Sequence, residues 1–557
     1  MGTLETSGFH PSLALLLAGT ALAFWTRHRF SCRRASQLFS MTLFTVLFWL
    51  ASFNGRPAWP VDIFLFSDPL LALVHTLAGK MVLSIFLVSL LLIVLSAVAG
   101  RLFCSHLCPL GTLFDMSDRF LGAKQTPGQN HEKYHHARKI KFIFLLVMLW
   151  AALFGTNLLA FGDPMVIFTR FAAMVFYPWV MVLEDAGLQV LKPVAEWAGR
   201  LEVVYFELLL PAFEGAFFMA VLLVLMLLTA RFQPRFWCRH ICPLGALLGL
   251  AGRWAPYRRR VDTTCNTCNL CTRECPVGAI HEKGIKTDRA ECIVCLRCVR
   301  VCPQHAVSFG FHRENRAVDL AGIAINRRTF IAGALGGLAA GITMRADMFH
   351  PSDSFAPLPF RHQGLIRPPG ALPEQEFMQR CTRCGLCMRA CPTNTLQPDW
   401  YRSGLEGLWA PRMDLRHAAC DQDCTVCGHI CPTGAIRPLT LMERRHARVG
   451  TAVILRDTCL PWARDERCLI CEQQCPYTAI VFRRDKLHRF DLPVVSADRC
   501  NGCGRCEDKC PVKADSAIVV APHGELRMAK GSFVEECRFR GIVLEEKNMG
   551  INEFRME

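Results

Sequence analysis

Charge is scarce in this sequence. Asp, Glu, Lys and Arg together make up 20% of its 557 residues, against 52% apolar residues, a balance that excludes an ordinary soluble enzyme. Low-complexity runs are missing while Phe and Leu abound, which excludes a disordered chain. There is no Cys-x2-Cys-His for a c-type haem, no glycine-rich dinucleotide fingerprint in a strand–helix context, and no phosphate-binding loop. No nucleophile–base constellation stands out, so no site for complex substrate chemistry is visible. What abounds is cysteine. The 30 cysteines are too dilute for a small disulfide scaffold and too clustered for incidental core thiols.

The net charge of +16 raises the question of nucleic acid. The basic residues, however, cluster beside apolar segments, as membrane flanks do. Metal-bound thiols are also deprotonated: four thiolates around a 2+ iron–sulfur core carry about −2, and six such sites offset most of the excess. Nucleic acid is not an expected partner.

The apolar excess lies before residue 345, which predicts a membrane part followed by a water-soluble part. A bilayer span takes about 20 mostly apolar residues. Five stretches fit or nearly fit: Ala35–Gly55, Met81–Gly100, Phe142–Gly162, Gly215–Ala230 and Thr329–Met344. A sixth, Gly8–Thr26, either spans or lies along the interface. Arg101–Lys141 holds seven basic and three acidic residues, and Arg231–Arg260 seven basic and none acidic, so both are expected in the cytoplasm. Asp163–Glu207, with three basic and six acidic residues, is expected to face outward.

A repeat runs through this region. Phe66-Ser67-Asp68-Pro69 precedes a segment ending in Cys104-x3-Cys108-Pro109-Leu110-Gly111. Phe161-Gly162-Asp163-Pro164 precedes one ending in Cys238-x3-Cys242-Pro243-Leu244-Gly245. Two helix pairs with the same marks predict pseudo-twofold symmetry. Cysteines at i and i+4 share a helix face, so Cys104, Cys108, Cys238 and Cys242 are expected to converge near His106 and His240. A further metal or cluster site, a redox-active thiol pair and packing thiols are the alternatives. Asp68 and Asp163 are candidate proton acceptors, because ionisable residues in a membrane protein default to function. An Asp before Pro is equally a ready-made helix cap.

Asn326-Arg327-Arg328-Thr329-Phe330-Ile331 resembles a twin-arginine export signal, retained here as an anchor; paired arginines anchoring a helix on the inner side are the alternative. Gly333, Gly337 and Gly341 at four-residue spacing predict close helix packing.

Six quartets take twenty-four of the cysteines. Cys265-Cys268-Cys271-Cys275 and Cys292-Cys295-Cys298-Cys302 follow the bacterial ferredoxin run, in which the fourth cysteine of each motif serves the other cluster. Cys381-Cys384-Cys387-Cys391 and Cys500-Cys503-Cys506-Cys510 share that spacing. Cys420-Cys424-Cys427-Cys431 and Cys459-Cys468-Cys471-Cys475 carry longer insertions. Each quartet is expected to bind one [4Fe-4S] cluster. In the last four, a nested exchange is expected, the first motif with the fourth and the second with the third. Zinc sites rarely combine a third cysteine with a trailing Cys-Pro, and disulfides do not require that spacing. Cys32 and Cys537 read as free thiols.

Together these residues resemble a known pair. Residues from about 30 to 320, with both Cys-x3-Cys-Pro motifs and a two-cluster tail, resemble the NapH-type membrane quinol dehydrogenase subunit. Residues from about 326 to 540 resemble its exported NapG/MauM-type polyferredoxin partner. The expected fold is an α-helical membrane domain (1–255), then an α+β ferredoxin domain with two cytoplasmic clusters (256–320). An anchor (321–350), a linker (351–375) and a periplasmic four-cluster ferredoxin domain (376–557) complete it. The resemblance implies a multi-pass protein of the bacterial inner membrane that takes electrons from the quinone pool to a periplasmic redox partner such as a nitrate reductase. The inner clusters admit a cytoplasmic donor. An electron donor for maturation or regulation of another metalloprotein, resembling NosR or CcoG, is the alternative.

Overall fold

The Asp-Pro marks start helices for a simple reason. Pro removes a backbone N–H that has no partner in the first turn, and the carboxylate accepts the next two. Asp68 caps Pro69–Gly79, its Oδ1 accepting from the Leu70 and Leu71 N–H groups at 2.8 and 3.3 Å. Asp163 does the same for Pro164–Phe171, with Met165 and Val166 at 2.8 and 2.9 Å. The capping alternative is therefore realised in both repeats.

The computed structural model describes residues 32–51, 62–80, 87–121, 136–311, 327–345, 365–512 and 516–544. It divides into two compact units, the first covering most of the chain to Met344 and the second beginning at Arg345. The segment Gly8–Thr26 and linker residues 351–364 lie outside the described residues.

In the first unit the repeat is realised twice. Leu87–Ala99 leads to the short helix Leu102–His106 and then to Pro109–Leu121. Ala216–Leu228 leads to Phe236–His240 and then to Pro243–Gly252. The helix Arg327–Arg345 packs its small face on Ile140–Leu153. A Cβ on Gly333 would lie 2.7 Å from Leu146 Cβ, and one on Gly337 only 2.5 Å from Trp150 Cβ. The predicted glycine packing is what the helix uses.

One expectation is corrected. The sequence predicts no span within Asp163–Glu207, yet Pro164–Trp197 is an apolar helix of 34 residues, eased by a π-turn at Ala172–Phe176. Apart from Asp163, its acidic residues all fall after Leu183, so the preceding turns are apolar. Among the described residues it is the one helix long and apolar enough to cross a membrane; Leu87–Ala99, Ile140–Leu153 and Ala216–Arg231 are shorter. Many apolar side chains on these helices have no protein cover: Leu91 is 67% exposed, Phe217 82% and Trp197 90%.

The first unit also contains a small α+β element. Strand Tyr257–Val261 pairs antiparallel with Val307–Phe311, and Ile280–His281 with Lys286–Thr287. Between them lie the short helices Leu270–Arg273 and Arg297–Val301. It is fastened to the helical part through charge. Glu291, buried, receives Lys141 Nζ at 2.5 Å and Arg101 Nη1 at 3.1 Å.

The second unit repeats the pattern with three two-stranded antiparallel sheets: Leu396–Pro398 with Pro411–Met413, Thr451–Ile454 with Ile518–Ala521, and Ile480–Arg483 with Leu492–Val495. Its apolar core gathers Leu439, Tyr477, Leu526, Phe533 and Cys537, so the lone thiol of Cys537 is a packing group. Residues Ala212–Glu214 are also built into this unit. Asn394 Nδ2 and Gln397 Nε2 donate to the Ala212 carbonyl at 2.8 and 2.9 Å, and Arg412 pairs with Glu214 at 2.7 Å.

Arg367 and Arg527 converge on Glu374. Burial alone would push that carboxyl up, but the two guanidiniums hold it below its ordinary value of 4.5. A group so depressed contributes stability above its ordinary value and loses it as pH falls through the lowered one. Glu374→Gln therefore lowers the thermal midpoint of the protein by a constant amount between pH 8 and 5, with the gap closing only below pH 4.5. A gap that changes between pH 8 and 5 would contradict this.

Candidate iron–sulfur sites

The regular cysteine runs share one backbone device. The residue before and the residue after the second cysteine take left-handed φ: Thr267 and Asn269, Val294 and Leu296, Arg383 and Gly385, Gly502 and Gly504. A further left-handed residue closes each described Cys-Pro turn, at Gly278, His305, Asn394, Gly434 and Thr478. Such φ values are unfavourable for Val, Leu and Thr, and backbone held there marks a functional constraint. Consecutive left-handed turns curl the loop so that its N–H groups and sulfurs face a common centre.

The sulfurs gather accordingly. One hollow is lined by Cys292, Cys295 and Cys298 together with Cys275 from the other motif. In the second unit, one is lined by Cys500, Cys503, Cys506 and Cys475. Another is lined by Cys459, Cys468, Cys471 and Cys510. Cys387 stands among Cys384, Cys381 and Cys431, and Cys427 among Cys420, Cys424 and Cys391. The exchange is thus sequential, first motif with second and third with fourth. The nested pairing expected from the sequence is wrong, because spacing fixes each local loop but not which loop folds against which.

The donor sets fit a cubane. Among the described residues, no group of three or more His, Cys, Asp or Glu is arranged to hold a single metal ion. A cube of iron and sulfide spreads its four thiolates wider than one tetrahedral ion does. Burial pushes the Cys381 and Cys503 thiols up to about 12, so only a bound cationic core keeps such quartets as thiolates. Backbone N–H groups already aim at sulfur: Ala279 at Cys275 and Ala479 at Cys475, both at 3.3 Å, and Ala452 at Cys500 at 3.4 Å. Sequence reasoning missed two guanidiniums that do the same. Arg259 Nη2 reaches Cys271 at 3.4 Å, and buried Arg444 Nη2 reaches Cys420 at 3.1 Å. They come from a strand and a helix outside the motifs, where nothing in the spacing flags them.

The four repeat cysteines also come together. Cys108 lies within electrostatic reach of Cys104 and Cys238, and Cys242 of all three others. His240 Nε2 meets Gln233 Oε1 at 2.9 Å, and His106 Nδ1 meets the Leu102 carbonyl at 3.3 Å. Asp68 and Asp163 are both buried; each gives its Oδ1 to the first N–H groups of its helix and leaves its Oδ2 without a hydrogen-bond partner.

Curled cysteine loops around shared four-sulfur cavities define an iron–sulfur electron-transfer protein with multiple [4Fe-4S] clusters. Residues 81–127 and 212–261 match the family described as "4Fe-4S binding domain", and 380–435 and 466–514 the "4Fe-4S dicluster domain" family. Residues 263–310 match the NosR family. The methylamine utilization ferredoxin-type protein MauM of Methylophilus methylotrophus is 38% identical over 29% of this chain and 74% of its own length. The ferredoxin-type protein NapG of Escherichia coli is 37% identical over 31% of this chain and 76% of its own length. Its ferredoxin-type protein NapF is 33% identical over 28% and 87%. The chain belongs to the MauM/NapG family of ferredoxin-type proteins.

Proposed function

We propose that this chain oxidises quinol at a membrane and passes the electrons through six [4Fe-4S] clusters to a periplasmic acceptor. The observation that carries the reading is the uncovered apolar surface of the first unit, part of it on the two helices that lead to Cys104 and Cys238. Side chains such as Leu91, Phe217 and Trp197 need lipid rather than water. The basic loops at Arg101–Lys141 and Arg231–Arg260 support a cytoplasmic position for the first two clusters. The acidic stretch runs on to Ala212–Glu214, which is built into the second unit; this favours placing the four-cluster unit on the outer side.

Quinol gives up two protons with two electrons, whereas a cubane takes one electron. Asp68 and Asp163 are the proposed proton acceptors, one proton to each carboxylate, since each keeps a buried Oδ2 without a hydrogen-bond partner. The partners in this reading are the quinone pool, a periplasmic redox protein such as a nitrate reductase, and a soluble cytoplasmic donor for the inner clusters. A second reading, electron donation to maturation or regulation of another metalloprotein, is favoured by the NosR match at 263–310.

Anaerobic mixing of the detergent-purified protein with a reduced quinone analogue separates the two. Cluster bleaching within a catalytic turnover time, on the order of a second or faster, is expected of a quinol dehydrogenase. Clusters that stay oxidised under quinol, yet accept electrons from a soluble donor of matched potential, would overturn the first reading in favour of the second.

A further inference from the structure

The two halves of the second unit, one built on its first two cysteine motifs and one on its last two, meet at a cluster ligand. Cys420 donates its backbone N–H to the Cys503 carbonyl at 3.0 Å, so a cysteine of the second motif touches one of the fourth. The chain leading to Cys420 lies along the same motif: Arg416 Nη1 donates to the Glu507 and Cys510 carbonyls at 3.0 and 3.2 Å. An electron crossing between the halves has a hydrogen-bonded route here.

Resting on the reading of Cys391, Cys420, Cys424 and Cys427 as a cluster site, we infer that the buried guanidinium of Arg444 raises the reduction potential of that cluster. An electron that reaches the junction of the two halves is thereby held there more strongly.

The local fold aims this side chain. Arg444 lies on the helix Leu441–His446, capped by Thr440, whose Oγ1 accepts from the Glu443 N–H at 3.3 Å. The far end is tied to both later motifs. The Arg445 carbonyl accepts from the Tyr477 hydroxyl, in the turn after Cys475, at 3.2 Å and from Asn501, next to Cys500. With both ends held, Arg444 Nη2 reaches Cys420 Sγ at 3.1 Å and the Asp421 carbonyl at 2.9 Å.

Charge supplies an independent argument. Arg444 is fully buried, and its Nε and Nη1 have no hydrogen-bond partner. The ionisable groups that act on it are Cys420, Tyr477 and Cys427, with no carboxylate among them. A buried cation without a counter-charge is costly, and bound thiolates are what can supply one. Four thiolates on a 2+ core carry about −2, and one electron into the core takes this to about −3, with no bond made or broken. A fixed cation away from water favours the more negative state, and a hydrogen bond to the sulfur acts in the same direction. The next residue provides a contrast. Arg445 carries the same charge on the same helix, but it is 40% exposed and pairs with Asp423 at 2.7 Å.

The test is an EPR-monitored redox titration of the full-length protein, kept anaerobic in detergent, with iron counted on each sample. In Arg444→Gln one cluster midpoint is expected to fall by the equivalent of a tenfold change in its reduced-to-oxidised ratio, about 59 mV for one electron, or more. Arg444→Lys keeps the charge without the planar donor and is expected to recover part of that fall. Arg445→Gln is expected to move no midpoint by more than about twofold, since an exposed charge is screened. Full iron with every midpoint unmoved in Arg444→Gln overturns the inference and leaves the cluster site standing; so does an equal shift in Arg445→Gln. Native protein without iron overturns the cluster site itself. Should Arg444→Gln fail to accumulate or lose iron, native protein grown on arginine with heavy nitrogen in its guanidinium decides. Hyperfine coupling from that nitrogen to a reduced cluster is expected, and its absence overturns the inference.

Discussion

Glu291→Ala is expected to destabilise the first unit by about 3–5 kcal/mol, because it strands two buried cations. Glu291 follows Ala290, whose carbonyl also accepts from Arg101, at 3.3 Å. Its own carboxylate takes both Lys141 and Arg101. Burial alone would push this carboxyl up; Lys141 first and Arg101 second draw it down to about 2. It is therefore ionised at any working pH, and the loss is the same from pH 5 to 8. Glu291→Asp keeps the charge on a shorter arm and recovers part of the loss. Detergent-phase thermal unfolding of native protein and both variants measures this. A Glu291→Ala protein within about 1 kcal/mol of native would show that the two cations find other partners.

The second large effect concerns which cysteines share a cluster. Cys381→Ser and Cys431→Ser each remove one ligand from the same quartet. Each is expected to lower iron by about 4 per chain, and the double variant by about 4 as well. Under the nested exchange the two residues serve different clusters, and the double variant loses about 8. Non-additivity of this kind reports a shared site, and it needs no assignment of individual EPR signals. A loss of about 8 would contradict the sequential pairing that brings Cys431 to Cys381, Cys384 and Cys387.

Much of the site is legible in the amino-acid sequence. Cys-x2-Cys-x2-Cys-x3-Cys-Pro fixes a loop because a cube needs three closely spaced corners and a turn that leads away. Gly385, Gly502 and Gly504 sit where that loop demands left-handed backbone, and glycine tolerates it without strain. Asp68-Pro69 and Asp163-Pro164 announce their helix caps, and Gly333 and Gly337 their close packing, because those are local rules. The exchange between motifs is not legible, since it is decided by which short sheets pair, such as Thr451–Ile454 with Ile518–Ala521. The long helix Pro164–Trp197 is hidden when its apolar first half is averaged with its acidic second half. Arg259 and Arg444 are invisible because nothing in the spacing of the cysteines points to either of them.

The relay itself is tested most directly by metal analysis of the chain prepared without oxygen. The account predicts iron and acid-labile sulfide in equal amounts, at no fewer than about 24 each per polypeptide, with the reduced protein showing several interacting cubane EPR signals. Zinc in place of iron, or iron without matching sulfide, would contradict it.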